Sequence, residues 1–138
     1  MRVIGIHIDK TKTIFYALET DTAGNQVPLS GSLKYLTLEN DTDNSSVRAF
    51  QSRIHTFFDE IHPSRIAILK RQTKGRFKSS PLSFKIEGLI QCYQKVEVEF
   101  IQPMAVSNYF KKHAFDFIPE FEYQIPAAKL ASYMLALI

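Results

Sequence analysis

Residues 3 to 9 alternate in polarity: Ile4, Ile6 and Ile8 share one side, while Val3, Gly5, His7 and Asp9 share the other. A period of two marks a strand with one clearly apolar face. Beyond the turn-like Lys10-Thr11-Lys12-Thr13, the run Ile14-Phe15-Tyr16-Ala17-Leu18 is apolar on both faces, as in a strand covered on both sides. The two are predicted to pair as a hairpin. A stretch containing Gly24, Pro28 and Gly31 leads to a third short strand over Leu33 to Leu38. The period then switches. Behind the oxygen-rich start Asp41-Thr42-Asp43-Asn44-Ser45, the residues Val47, Phe50, Ile54, Phe57, Phe58 and Ile61 recur at helical spacing. A sheet that must be covered by helices follows.

Pro63 stops that helix, and Arg65-Ile66-Ala67-Ile68-Leu69 reads as a short buried strand. Ser80 and Pro81 have the cap and first-turn residues of a second helix, which buries Leu82, Ile86, Leu89, Ile90 and Tyr93. Val96 to Ile101 supplies a fifth strand, Pro103 opens a third helix, and Pro126 opens a last one carrying Leu130, Ala131, Met134 and Leu137. The aromatic and acidic segment from Phe115 to Tyr123 reads as an ordered loop. Right-handed crossovers place the fourth and fifth strands parallel to the first. The expected fold is α/β, a three-layer sandwich with a five-stranded mixed sheet and helices on both faces. With 138 residues, 45% hydrophobic and 22% charged, the chain suits one packed domain over residues 1–138 and not a disordered or fibrous class.

The single cysteine, Cys92, excludes an internal disulfide and a cysteine metal cluster, and it fits a reducing cytosol as a buried free thiol. Asp9 and Lys10 interrupt the amino-terminal apolar run before a signal-peptide core forms. No apolar stretch reaches the roughly 18 residues of a membrane span. A cytoplasmic chain with no membrane partner is expected.

Charge is distributed unevenly. Between Glu60 and Glu87 no acid occurs, while Arg65, Lys70, Arg71, Lys74, Arg76, Lys78 and Lys85 accumulate, so a formal net charge of +3 conceals a local +7. Lys74-Gly75-Arg76-Phe77-Lys78-Ser79-Ser80 sets cations, an aromatic and hydroxyls just ahead of a helix N-terminus, which favours anions. The second glycine and the Gly-Lys-Ser/Thr ending of a P-loop are absent. In a nucleic-acid reading, Lys70, Arg71, Lys74, Arg76 and Lys78 meet phosphates and Phe77 stacks on a base. In the plain reading the segment is a solvated loop with Phe77 in the core. His7 and Asp9, two apart on a strand, share a face and offer a histidine–carboxylate pair for acid–base work. The plain alternative is a semi-buried His7 held by a hydrogen bond. Glu87 reads as a helix-surface carboxylate facing Lys85 or the basic loop.

Val3-Ile4-Gly5-Ile6-His7-Ile8-Asp9, Asn40-Asp41-Thr42-Asp43, Thr73-Lys74-Gly75-Arg76-Phe77, Leu82-Ser83-Phe84-Lys85-Ile86-Glu87 and Tyr133-Met134-Leu135-Ala136-Leu137-Ile138 resemble a small bacterial family known as domain of unknown function 3010. That resemblance implies a ribonuclease H-like fold and assigns no activity. A more distant similarity is to RuvC-type Holliday-junction resolvases, in which four acids hold two metal ions for phosphodiester hydrolysis. Here His7 follows Gly5-Ile6, Lys70 follows the fourth strand, and no acid occurs after Glu122. No cofactor and no metal site are therefore expected. Three readings stand: a non-catalytic domain binding nucleic acid or another polyanion through the basic loop, a metal-dependent hydrolase relocated to His7, Asp9 and Glu87, and a regulatory interaction domain, a homodimer through the aromatic segment being its simplest form.

Overall fold

The computed structural model describes residues 1–29, 32–71, 80–116 and 118–137. The strands are β1 (Arg2–Asp9), β2 (Lys12–Thr20), β3 (Gln26–Pro28), β4 (Tyr35–Thr37), β5 (Arg65–Leu69) and β6 (Val98–Ile101). The helices are α1 (Asn44–Ile61), α2 (Pro81–Gln91), α3 (Pro103–Lys112) and α4 (Ile125–Ala136), with a 3-10 turn over Glu122–Gln124. β1 and β2 form the expected antiparallel hairpin, with Asp9 opposite Lys12 and His7 opposite Ile14. Its two-residue connection needs positive φ, which Lys10 adopts at 59°. β5 pairs parallel to β1 and β6 parallel to β5, as right-handed crossovers require.

Among the described residues the sheet has six strands where five were expected, in the order β3-β2-β1-β5-β6, with β4 also on β2. The free edge of β2 is shared. β4 takes its first half, with Ile14 opposite Tyr35, and β3 its second, with Leu18 opposite Pro28. β3 is too short to show a period, and its proline is tolerated because the strand lies at the sheet edge. The strand expected over Leu33 to Leu38 contracts to Tyr35–Thr37 because the chain departs between the two halves, held where the Phe15 amide donates to the Lys34 carbonyl at 3.0 Å.

Two different cores cover the sheet. On one face Ile4, Ile6, Ile8 and Phe15 meet Phe50, Ile54, Phe57 and Phe58 of α1 and Ile86 and Ile90 of α2. On the other, Val3, Ile14, Leu18 and Ala67 meet Val106 of α3 and Ala127, Ala128, Leu130, Ala131 and Met134 of α4. Gly5 faces this second layer, where a Cβ would sit 2.3 Å from the Ala127 carbonyl oxygen and 2.8 Å from the Ala131 nitrogen. Glycine on the strand and alanines on the helix let α4 rest directly on β1.

Local caps act as the sequence predicts. Asp43 accepts from the Ser46 amide at the start of α1, and Ser80 accepts from the Ser83 amide at the start of α2. α1 ends at His62 in the left-handed region, φ 57°. Cys92, expected to be buried, is exposed. It follows the last residue of α2 just beyond the buried positions Ile86 and Ile90, so the helix turns it outward. Among the described residues no helix is long and apolar enough to cross a membrane.

Candidate functional site

In open α/β sheets ligands gather beyond the carboxyl ends of the parallel strands. Here that edge is formed by Asp9, Lys70 and the end of β6 at Ile101, with the Lys70 amide donating to the Ile101 carbonyl at 2.9 Å. Three helices begin there. α2 is tied down by Ser83 Oγ, which donates to the Lys10 carbonyl at 3.1 Å. α3 follows β6 directly. α4 runs antiparallel to β5, because Arg65 Nη1 at the start of β5 donates to the Met134 carbonyl near the helix end. Its first residues, Ile125 and Pro126, join Leu69, Pro103 and the lysines Lys111 and Lys129 around a groove of about 360 Å³. Helix N-termini carry partial positive charge, so the backbone already biases this edge toward anions.

His7 lies on the α4 face of β1, mostly buried, and its Nδ1 has no hydrogen-bond partner. Burial holds the imidazole below its ordinary pKa of 6.5, the nearby Arg71 charge lowers it further, and Asp9 opposes both. His7 is accordingly neutral at pH 7. His55 and His113 bond the Leu89 and Tyr109 carbonyls, and His62 contacts the Glu60 carbonyl, so each has a backbone partner of its own.

Glu87 faces the basic stretch, as expected, through Arg71, but the pair is largely buried and not set on the helix surface. Arg71 Nε donates to Glu87 Oε2 at 3.0 Å, with side-chain exposures of only 7% and 14%. The guanidinium also lies 4.6 Å above the Phe84 ring centroid, a cation–π contact. α2 packs against the sheet with the face that carries Glu87, and the buried arginine is the reason this carboxylate can be there. Arg71 Nη2 is buried without a partner.

Much of the basic window is neutralised in the fold. Arg65 donates from Nε and Nη2 to both Glu99 carboxylate oxygens, at 2.8 and 2.7 Å. The guanidinium holds Glu99 below the ordinary carboxylate range, and the carboxylate raises Arg65 in turn. Lys85 donates to the Asp41 carbonyl and sits 4.0 Å from its carboxylate. Lys70 is exposed at the strand end. Lys74, Arg76, Phe77 and Lys78 lie outside the described residues.

Resemblance to two-metal resolvases implies a divalent-metal centre, and the residues present do not fit one. Among the described residues no three His, Cys, Asp or Glu side chains converge as a metal site. Glu87 is engaged by Arg71, and the residue after β5 is a lysine, whose charge opposes a divalent cation.

The fold also brings residues to this edge that the linear pattern does not mark. Directly opposed residues of paired strands share a face, so His7, Ile14 and Tyr35 form one row across β1, β2 and β4. Lys12, opposite Asp9, places Nζ 4.1 Å from the Tyr35 ring centroid and 4.2 Å from that of Tyr123, a residue just before α4. No local signal links Lys12 to Tyr123. A cavity of about 540 Å³ lies beside this cluster along the split edge of β2, bordered by Tyr16, Lys34 and Glu120.

A family model for proteins of unknown function matches residues 1–136. The chain belongs to DUF3010. No curated protein matches this DUF3010 chain. Among solved structures it is similar to Thermus thermophilus RuvC, at TM-score 0.77 and 14% identity over 99% of this chain and 95% of that one. The T. thermophilus RuvC complex with Holliday junction substrate aligns at TM-score 0.71 and 15% identity, over 99% and 95%. The yeast mitochondrial Holliday junction resolvase Ydc2 aligns at TM-score 0.66 and 10% identity, over 96% and 77%. At such identities the likeness is one of fold. The chain shares the α/β fold of these RuvC-type resolvase structures.

Proposed function

We propose that this DUF3010 chain is a non-catalytic ribonuclease H-like domain that binds nucleic acid at the carboxyl edge of its parallel strands. One observation carries the reading: β5 runs into Lys70 and Arg71, with Glu87 tied to Arg71, where a two-metal nuclease needs unencumbered carboxylates. The edge carries the exposed Asp9 and Lys70 and three helix N-termini, of which the lysine and the helix ends suit phosphates. The basic stretch containing Lys74, Arg76, Phe77 and Lys78 continues from Arg71 and supplies further phosphate contacts, with Phe77 as a stacking residue. The shared fold with a RuvC structure in complex with Holliday junction substrate supports a nucleic-acid partner over other polyanions.

Fluorescence anisotropy with short DNA and RNA tests this reading. Binding at low salt is expected, weakening steeply as salt rises, and Lys74→Ala with Arg76→Ala should lower the log–log salt slope by about two. Absence of binding at low salt, or binding unchanged in that variant, rejects it. Metal-dependent cleavage that disappears in Asp9→Ala would instead favour a hydrolase built on His7, Asp9 and Glu87.

A further inference from the structure

Beside the charged strand edge this chain sets two exposed aromatic rings and, between them, a half-buried third. Tyr35 on β4 is 47% exposed and Phe121, ahead of the 3-10 turn, is 41% exposed. Between them Tyr123 stacks on Phe121, with centroids 5.5 Å apart and planes at 12°, and meets Tyr35 edge-on at 5.8 Å. Lys12 sits against Tyr35 and Tyr123, and Lys34 lies 5.0 Å from the Phe121 centroid. The rings thus hold two ammonium groups over their own faces, so a base that stacks on Tyr35 or Phe121 displaces the lysine toward the flanking phosphate. Lys34 also pairs with Glu120 at 2.9 Å, and both partners are solvent-exposed.

The location gives the cluster its meaning. Tyr35 occupies the same cross-strand row and the same face as His7, two strand spacings or roughly 10 Å away. Lys70 follows β5, one strand beyond β1, so it lies about three strand spacings, roughly 15 Å, from Tyr35, a gap that about two to three nucleotides of extended backbone span. Flat exposed rings gain little from a duplex, whose base faces already cover one another. They gain from unpaired bases, which stack on aromatic side chains while adjacent lysines meet the flanking phosphates. Lys34 is offset by Glu120, and Lys12 is the cation that favours a polyanion over a second copy of this surface, whose Lys12 would meet its own kind.

Resting on the nucleic-acid reading above, we infer that the exposed rings of Tyr35 and Phe121, braced by Tyr123 between them and flanked by Lys12 and Lys34, form a stacking platform for unpaired bases of a single strand bound at the carboxyl edge. The platform makes the chain select single-stranded over duplex nucleic acid.

The test compares a short oligothymidylate with a duplex of equal length on the full chain. The unmodified protein should prefer the single strand, and Tyr35→Ala should weaken that binding about tenfold while leaving the duplex within about twofold. Tyr35→Phe, which keeps the ring, should retain the single-strand affinity. Because the chain has no tryptophan, its six tyrosines dominate its emission. Stacking should quench it on binding, and less so in Tyr35→Phe. Should Tyr35→Ala fail to fold, Phe121→Ala provides the same comparison from outside the sheet. Equal affinity for both forms, unchanged in the alanine variants, overturns the platform and leaves nucleic-acid binding standing. Binding of neither form by the unmodified protein rejects the parent reading itself. A dimer in light scattering that Tyr35→Ala dissociates, with nucleic-acid affinity unaltered, assigns the rings to self-association and also overturns the platform.

Discussion

The two faces of the sheet are packed by opposite means. Beneath α1 and α2 the layer is thick and built of large side chains, with Phe15 edge-on to Phe57 at 5.3 Å and to Phe58 at 6.3 Å. Beneath α4 the layer is thin, with alanines pressed onto Gly5. A thick aromatic layer supplies apolar burial and tolerates small adjustments by rotation of its rings. A helix resting on strand backbone has no such freedom. α4 is therefore held at one height and one slide along β1, and its first residues are fixed over the carboxyl edge. Burial energy and positional accuracy are supplied by different sides of one sheet.

Phe58→Ala should be the most damaging change, costing about 3–5 kcal/mol by transfer and cavity terms, read by urea denaturation. Glu87→Ala belongs to the same layer and should be nearly as costly, at about 3–5 kcal/mol, because it strands the buried Arg71 charge. A loss of less than about 1 kcal/mol would mean that Arg71 swings out to water. Gly5→Ala attacks the thin side and should cost about 3 kcal/mol through overpacking. Adding Ala131→Gly should not restore it, since the nearest obstacle is the Ala127 backbone oxygen. Rescue by that double change would show that α4 can shift and would erase the contrast between the faces.

Smaller effects probe the charges. Arg65 and Glu99 have side-chain exposures of 29% and 40%, so Glu99→Ala should cost only about 0.5–1 kcal/mol at pH 7. Glu99 titrates below its ordinary 4.5 in the fold, so this contribution is present above that pH and fades as pH falls through the lowered folded value. His7 also titrates below its ordinary 6.5, chiefly through burial. Below 6.5 the unfolded chain binds the additional proton, so stability should decline as pH falls. His7→Phe should flatten that part of the pH–stability curve in denaturant melts. An unchanged curve would mean that His7 does not titrate differently in the folded chain.

Strand and helix periods were legible because they are local. Alternation in β1, the double-sided run in β2 and the Ser80-Pro81 helix start are each decided by neighbours within a turn or a pleat. The two parallel pairings followed from crossover handedness. β3 was not legible, since three residues with a proline carry no period. The basic window was legible as sequence and misleading as charge, because Glu99 and Asp41 enter from outside it and Glu87 from its boundary. Cys92 looked like a buried thiol from its residue type, and helix phase turned it outward.

By itself the sequence determined an α/β sandwich with two strands parallel to the first, a chain without the acid pattern of a two-metal nuclease, and a basic stretch ahead of α2. Only the tertiary structure decided that Arg71 is buried on Glu87, that α4 rides on Gly5, and that Lys12, Tyr35 and Tyr123 meet beside the row of His7. Periodicity is set by residues a few positions apart. Ion pairs, ring contacts and backbone approach depend on distances through space, which packing alone sets.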